Sequence, residues 1–524
     1  MTTPPAERSE GLPTRAELLA ALSVAIDLGL GQPAEHMLRS ALIASRISDR
    51  LGLTQTDRAT TYYTALIMWI GCHADSHEYA RWFGDDIAVR HDSYLVDWSG
   101  LPYWNFLLRN VARGEPVLRR LNAMAALFLN ARGNLAKLIH SHCMSAGLLA
   151  DRMGLGADVQ AALAYTFERY DGGGLPTGAR GDQLPIAVRV AQLADMAEVH
   201  HRSYGTGGAV AMALSRRGGQ FDPQVVDVFA ADAERILAGP PTGDAWRAAL
   251  QEAPDRHQRL DEQSLDDLLI ALGDFVDLKC PFTIGHSRAV AALAVDAAKA
   301  VGLDADTVAL TRRAGHVHDL GRIGISNHIW SKVGPLTAAE FERVRLHPYL
   351  TVRILNQVPA LSRVAQLAGN HHERVDGGGY PRGLGETTLG LPDRLLAAAV
   401  CYQSAREPRP YREELGPDAA ARRLRERVRD KALDPVAVDA VLHAVGAKAQ
   451  GPKPRPHGLT PREIEVLNLV AQGASDKQIA AALVISPKTA RNHVERIYAK
   501  IGVSNRIGAS MYALRHGLVP NARA

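Results

Sequence analysis

Residues 370–381 read NHHERVDGGGYP, and residues 165–176 read YTFERYDGGGLP. One phrase occurs twice, with His371–His372 in the later copy where the earlier has Thr166–Phe167. The likeness extends outward. TRAELLAALSVAIDLGLGQPAEH at 14–36 pairs with SLDDLLIALGDFVDLKCPFTIGH at 264–286, an offset of 250 that runs without a gap to Gly71 and Gly321. Beyond these the offset is 205, because the earlier copy has 45 additional residues, so His142 meets His347, Asp171 meets Asp376 and Asp195 meets Val400. FDPQVVDVF and LDPVAVDAV close both copies at an offset of 212. Self-similarity on this scale signals two copies of one structural unit.

In both copies apolar residues recur at three and four positions, Ala and Leu abound, and alternating β-branched runs are scarce. The pattern predicts an all-α chain. Composition shifts place the joins. The first half runs over 14–237, with an insert at about 73–141, followed by a linker at 238–263. The second half runs over 264–447, and a Pro-rich linker at 448–458 leads to a tail at 459–520. The insert is rich in aromatics, Trp82, Phe83, Tyr94, Trp98, Tyr103, Trp104 and Phe106, which would either pack an added helix pair or line a ligand pocket.

With 46% apolar and 22% charged residues among 524, the composition is that of a soluble multidomain protein. Cys72, Cys143, Cys280 and Cys401 follow neither metal nor disulfide spacing, no apolar run approaches the ~20 residues that span a bilayer, and MTTPPAERSEG lacks a signal core. A cytoplasmic protein with no membrane partner is expected.

Charge is unevenly spread. Residues 451–524 carry 11 Lys or Arg against 4 Asp or Glu, whereas the preceding 450 are net acidic, so the tail has the electrostatics of a nucleic-acid binder. Its pattern says more. Thr460, Pro461 and Glu463 predict a capped helix stopping at Gly473, Ser475 and Gln478 a second, and Ser486–Pro487 a third running to Ile501 before Gly502. Two helices joined by the short VIS turn make a helix-turn-helix unit. With Val494, Ile497 and Ile501 inward, Lys488, Arg491, Asn492 and Arg496 face out, and Thr489 and Lys500 complete the candidate DNA-binding set. This stretch resembles the LuxR/FixJ-type output domain over residues 459–518. The resemblance implies a four-helix domain, Asn505–Arg515 being the last helix, that binds double-stranded DNA as a homodimer.

The second half carries the chemistry. His286, His318, Asp319, His347, His371 and His372 recur at helix-sized intervals, and imidazole with carboxylate suits Mn, Fe or Zn. KCPFTIGHS, HDLGRIGI, LHPYL and HHERVDGGGYP resemble the HD-GYP family of HD-superfamily phosphohydrolases over about 264–447. The resemblance implies an all-α metal centre that hydrolyses cyclic di-GMP, with those six residues as ligands and Asp319 bridging two ions. Lys279 and Arg322 would face phosphate, making Asp319, Arg322 and Lys279 the candidate catalytic residues.

Two positions depart from the family pattern. Arg322 stands where the family has lysine, and Val400 stands where it has a metal-binding Asp; a branched hydrocarbon cannot replace an oxygen ligand. The first half departs differently. His36, His142 and Asp195 remain, but Met68–Trp69 and Thr166–Phe167 occupy the HD and HH positions, and His73, Asp75 and His77 lie beyond the site's register. No metal is expected there. The fold expected is two tandem HD-type bundles, the first degenerate, followed by a LuxR-type helix-turn-helix domain. The function expected is a transcription regulator whose tandem modules bind a signal, a metal or a cyclic dinucleotide. The alternatives are a metal-dependent cyclic di-GMP phosphodiesterase with a DNA-binding tail, and a pure interaction scaffold.

Overall fold

The repetition in sequence is a repetition in helix lengths. Arg15–Leu30, His36–Arg50 and Gln55–Ile67 have 16, 15 and 13 residues, and Glu262–Asp277, His286–Ala300 and Ala305–Val317 have the same three lengths. Each triplet runs into a 3-10 turn, Ile70–His73 or Leu320–Gly324. Ala157–Leu163, Ile186–Ser215 and Pro223–Ala231 then answer to Ser362–Gly369, Leu391–Arg406 and Pro435–Ala444. The computed structural model describes residues 11–97, 100–113, 116–129, 131–239, 244–447, 459–503 and 505–515. Among them there are isolated β-bridges but no strand. The chain forms two compact units, Met1–Ala447 and Lys448–Ala524, so both halves of the repeat belong to one body.

Matching residues build matching joints. Asp27 accepts from the Met37 N–H at 3.1 Å, and Asp277 accepts from the Ser287 N–H at 2.8 Å. In each half a buried carboxylate of the first helix thus satisfies the open N-terminus of the second, which begins at His36 or His286. Burial pushes both carboxyls up to about 7, against the opposing effect of those histidines. A Cβ on Gly71 would lie 2.4 Å from the His142 carbonyl, and one on Gly321 2.0 Å from that of His347, so only glycine permits the approach.

The repeated DGGG phrase is a self-locked loop. Glu168 accepts from the Thr177 N–H at 2.6 Å, and Glu373 from the Arg382 and Leu384 N–H groups at 2.8 and 2.9 Å. Asp171 and Asp376 accept from Gly173 and Gly378, while Cβ atoms on Gly174 or Gly379 would strike backbone at 2.4–2.5 Å. The shared letters are architectural, which leaves the unshared His371–His372 pair to carry the difference in chemistry.

The insert contributes Ser76–Phe83, Asp86–Ser93, Gly100–Asn110, Val117–Leu129 and the start of Ala131–Arg152. Its aromatics divide between the two expected roles. Phe83 is buried with Val89 and Val111 against Trp82 and Phe106, whereas Tyr94 and Tyr103 line a cavity of the first half. Trp104 is 46% exposed, and Trp98 lies outside the described residues.

Two buried ionic clusters hold the large unit. At the seam between the halves, Asp86 accepts from the Asn327 N–H at 2.7 Å and the Ser326 hydroxyl at 2.8 Å, and it lies 3.5 Å from the Lys279 ammonium and 3.3 Å from Arg90. Burial raises the Asp86 carboxyl and these two cations more than offset it, leaving it below the ordinary carboxylate range. Inside the first half, His36 is wholly buried, its Nδ1 2.6 Å from Glu198 and its Nε2 3.0 Å from Asp195. Both ring nitrogens face carboxylates, so both carry hydrogen and the ring is an imidazolium. Burial alone would lower its pKa, but the two carboxylates lift it to about 10.

The C-terminal unit follows its caps. Thr460–Glu463 and Ser475–Gln478 form reciprocal capping boxes at the starts of Pro461–Ala471 and Asp476–Leu483, and Ser486 caps Pro487–Ile501, which ends at left-handed Gly502. A fourth helix is Arg506–Arg515. Val466, Leu467, Val470, Ile479, Ala490, Val494 and Ile497 share its core. The 448–458 linker and residues 516–520 lie outside the described residues. No described helix is long and apolar enough to cross a membrane.

Removing the seam carboxylate with Asp86→Ala leaves Lys279 and Arg90 buried without it, and should cost about 3–5 kcal/mol in urea denaturation; adding Lys279→Met should recover a large part. A single variant as stable as the parent would exclude this role. For the imidazolium, the folded pKa of about 10 exceeds the unfolded value of ~6.5, so its contribution is complete below pH ~6.5 and is lost as pH rises toward 10. The stability gap between the parent and His36→Gln should therefore be widest at pH 5–6.5 and narrow steadily to pH 10.

Candidate functional site

Three helix ends deliver three imidazoles to one point. His318 follows Ala305–Val317, His347 follows Ala338–Arg345 by two residues, and His371 follows Ser362–Gly369 by two. Each donates its Nδ1–H to a carbonyl three residues back, Gly315 at 2.8 Å, Val344 at 2.5 Å and Ala368 at 2.7 Å. These are carbonyls of a terminal turn, open to side-chain partners, and the bond fixes the tautomer. The Nε2 lone pairs therefore point away from the helices. They converge on Asp319, from which the Nε2 atoms of His318, His347 and His371 are 3.6, 3.4 and 3.5 Å away.

His286 enters from a helix start, its Nε2 3.9 Å from Asp319 and its Nδ1 2.9 Å from Glu407. His372 stacks on Tyr380 with ring centroids 4.7 Å apart. The ligand atoms form two clusters, His286–His318–Asp319 and His347–His371–His372, each within 4.8 Å. All six residues named from the sequence are thus brought together.

The electrostatics suit a cation. Burial pushes His318 down to about 3 and holds His347 and His372 low as well, each opposed by Asp319. Against its burial, Asp319 is kept well below the usual carboxylate range by His318 and Arg322. Neutral imidazoles around an ionised carboxylate are the metal-binding form of this donor set. The His318 Nε2 is buried with no hydrogen-bond partner among the described residues, and His347 and His371 bring Nε2 atoms to 3.1 Å with both Nδ1 positions already donating. Lone pairs so crowded repel unless a positive centre lies among them, so these residues fit a divalent metal.

Val400 is 5% exposed and lines the pocket over this centre, supplying hydrocarbon and no oxygen. The pocket encloses about 770 Å³. Its walls include Arg345, Arg409, Arg412, Arg423 and Arg427, with Trp330 and Tyr380. Arg322 spans floor and wall, bonded to Asp319 at 2.8 Å and lying 4.2 Å over the Trp330 ring. Lys279, expected to face phosphate, instead lies in the seam against Asp86 and is not part of this wall; its ammonium is buried 2% exposed, and a carboxylate of the other half is its counter-charge. The wall arginines and Glu407 were not foreseen. The cation density of AREPRPYRE and RRLRERVR was the available signal for the former. Glu407 had none, because the register pairs Glu198 with Gln403, which here bonds Glu407 at 2.8 Å.

In the first half the points that correspond to the HD and HH pairs carry no ligands and border a cavity. Trp69 packs edge-on against Phe167, Tyr94 and His142, and Asp195 is taken up by His36. Thr166 keeps the helix-end bond, donating to Leu163 at 2.8 Å, but offers no imidazole. His142 lies 3.6 Å from Asp75, and His73 packs on Phe275. Among the described residues no cluster of metal ligands occurs here.

On the third helix of the C-terminal unit, Lys488, Thr489, Arg491, Asn492 and Arg496 are all exposed. Three of the named residues also have partners inside the unit, Arg491 pairing with Glu495 at 3.2 Å. Lys500 bonds Glu463 at 2.7 Å, tying the helix to the first capping box, and the Thr489 hydroxyl pairs with Ser486 at 2.7 Å.

Comparison with known proteins gives a family for each of the two regions. Residues 271–436 match the HD domain family, and residues 457–513 match the bacterial regulatory proteins of the luxR family. The 3'3'-cGAMP-specific phosphodiesterase 3 of Vibrio cholerae is 29% identical over 82% of this chain and 94% of its own. A cyclic di-GMP phosphodiesterase of Pseudomonas aeruginosa is 36% identical over 32% of this chain and 40% of its own, and a putative HTH-type transcriptional regulator of Mycobacterium bovis is 34% identical over 24% and 15%. The crystal structure of a cyclic GMP-AMP-specific phosphodiesterase of V. cholerae superimposes with a TM-score of 0.57 and 25% identity, over 84% of this chain and 99% of that one. The imidazole ring therefore sits in an HD domain of the kind found in HD-GYP-type phosphodiesterases, and the chain joins that HD domain to a C-terminal helix-turn-helix domain of the luxR family.

Proposed function

We propose that the chain is a DNA-binding transcription regulator whose metal-bearing HD domain takes a cyclic dinucleotide, with residues 14–237 as a second HD-type module that has lost its metal. The observation that carries this reading is the ring of outward-facing Nε2 atoms around Asp319, beneath a pocket walled by arginines and aromatic rings. A cyclic dinucleotide presents two phosphodiesters and two flat bases. Guanidinium groups pair with the former, and Trp330 and Tyr380 can stack on the latter. The volume lies within the range of small-ligand sites. Names of the relatives, specific for 3'3'-cGAMP or cyclic di-GMP, support the ligand class.

His286, His318, Asp319, His347, His371 and His372 would hold the metal, Fe, Mn or Zn. When bound, such ions supply Lewis acidity toward a phosphodiester and an activated water. Arg322 neutralises phosphate while its bond to Asp319 and its stack on Trp330 hold it in place. Being protonated at all working pH, it cannot give a proton to a leaving oxygen. Hydrolysis is the second reading, favoured by the nearly complete ligand set and opposed by Val400. In the tail, exposed Lys488, Arg491 and Arg496 would meet phosphate or guanine edges and Asn492 an adenine, the domain acting as a dimer on duplex DNA.

Purified chain should contain divalent metal by mass spectrometry, and Asp319→Ala should lose most of it together with cyclic di-GMP or 3'3'-cGAMP binding. Val400→Asp should raise metal content and dinucleotide turnover. A metal-free parent that binds neither dinucleotide would remove the reading. For DNA, Lys488→Ala should weaken binding to all sequences alike and lower the slope of log affinity against log salt by about 1, whereas Asn492→Ala should relax sequence preference. Footprints and salt titrations unchanged by both substitutions would exclude this helix as the reader.

A further inference from the structure

The pocket over the metal centre has a second charged region. Arg409, Arg412, Arg423 and Arg427 stand in its wall, as do apolar Val400, Ala405 and Leu433. Val400 and Ala405 belong to Leu391–Arg406, and Arg412 donates to the Ser404 and Ala405 carbonyls at 2.6 and 3.0 Å. Its guanidinium is thereby anchored at the C-terminal end of that helix, about one turn past Val400. Arg423 is exposed, and Arg412 and Arg427 are half-buried.

This end of the pocket carries positive charge without its counterpart. Arg423 and Arg427 lie one turn apart on Pro417–Arg429, a spacing at which like charges repel. Neighbouring arginines are paired, Arg429 with Glu426, Arg345 with Glu342, Arg374 with Asp376 and Arg409 with Glu407. Among the described residues, no carboxylate lies within ion-pair distance of Arg412, Arg423 or Arg427. These three feel one another. Burial and the Arg423 charge hold the Arg412 guanidinium below its ordinary value, and all three oppose the rise that burial gives the Cys401 thiol, another part of the wall. Val400 deepens the imbalance. An aspartate there would add a negative charge to the pocket and repel an anion, whereas hydrocarbon leaves the guanidinium charge uncompensated in a medium of lower dielectric.

We propose that Arg412, Arg423 and Arg427 form an anion subsite, apart from the metal ligands, that holds a second phosphate of the ligand in this pocket. The nature of that ligand rests on the dinucleotide reading above; the subsite adds a requirement for two phosphates, one over the metal beside Arg322 and one against this row. The second phosphate is the other diester of a cyclic dinucleotide or the terminal phosphate of a linear one. A ligand with a single phosphate fills one end only, so the row selects dinucleotides against mononucleotides.

Calorimetric titration of the full chain with cyclic di-GMP, 5'-phosphorylated linear GpG and cyclic GMP tests this. Replacing both Arg423→Gln and Arg427→Gln should weaken the better dinucleotide by about tenfold or more, while metal content and cyclic GMP affinity stay as in the parent. Arg429→Gln, on the same helix but absent from the pocket wall, should change none of the three. Tighter binding of the cyclic dinucleotide identifies the diester, and tighter binding of the linear one the terminal phosphate. Dinucleotide affinity unchanged in the double variant would overturn the subsite and leave the dinucleotide reading standing, and a loss shared equally by cyclic GMP would overturn it too. If the parent binds neither dinucleotide, that reading fails by itself, and inorganic pyrophosphate titrated into chelator-dialysed chain still tests the row. Saturation that the double variant loses supports an anion subsite, and no saturation in the parent, or saturation that the double variant retains, overturns it.

Discussion

Everything distinctive about the second half depends on an imidazole placed at a helix end so that its Nδ1–H satisfies a carbonyl three residues back. The bond answers a need of the helix, whose last carbonyls have no partner within it, and fixes which nitrogen remains free. Repeated at His318, His347 and His371, it turns three separate helix termini into three lone pairs aimed at one carboxylate. Packing places the donors, and the donors together fit a cation. Thr166 shows the same joint without the chemistry, since its hydroxyl meets the Leu163 carbonyl and has nothing left to aim.

The two halves solve one electrostatic problem in opposite ways. In the second, His286 keeps a free Nε2 beside Asp319 because Glu407 occupies only its other nitrogen. In the first, Asp195 and Glu198 take both nitrogens of His36, and a proton neutralises what a metal would otherwise neutralise. Losing the carboxylate at Val400 and retaining it at Asp195 are thus complementary outcomes: one half keeps donors without their last acidic partner, the other keeps the acid and binds it to its own histidine.

The seam makes the halves a single body. Asp86 belongs to the insert that only the first half possesses, yet it holds Lys279, Ser326 and Asn327 of the second. The lysine sits seven residues before His286, and the loop 326–327 sits seven residues beyond Asp319. Asp86 is also the partner of Arg90, which borders the cavity of the first half, so one buried carboxylate ties the wall of that cavity to the second half.

Much of this was legible beforehand. Helix starts and stops in the tail follow from Thr460, Ser475, Ser486 and Gly502 alone, because capping is decided within three or four residues. The repeat and its six candidate ligands were equally plain, since each rests on local residue identity and spacing. What the linear chain did not reveal lies in contacts between distant segments. The burial of Lys279 against Asp86 spans 193 positions and the hold of Glu407 on His286 spans 121. The division of the insert's aromatics between a small core and a cavity wall was also left open by composition. Local order sets which atoms a helix end must satisfy. Only the packing of helices against one another determines which charge meets which, and whether the space left between them is filled or left as a pocket.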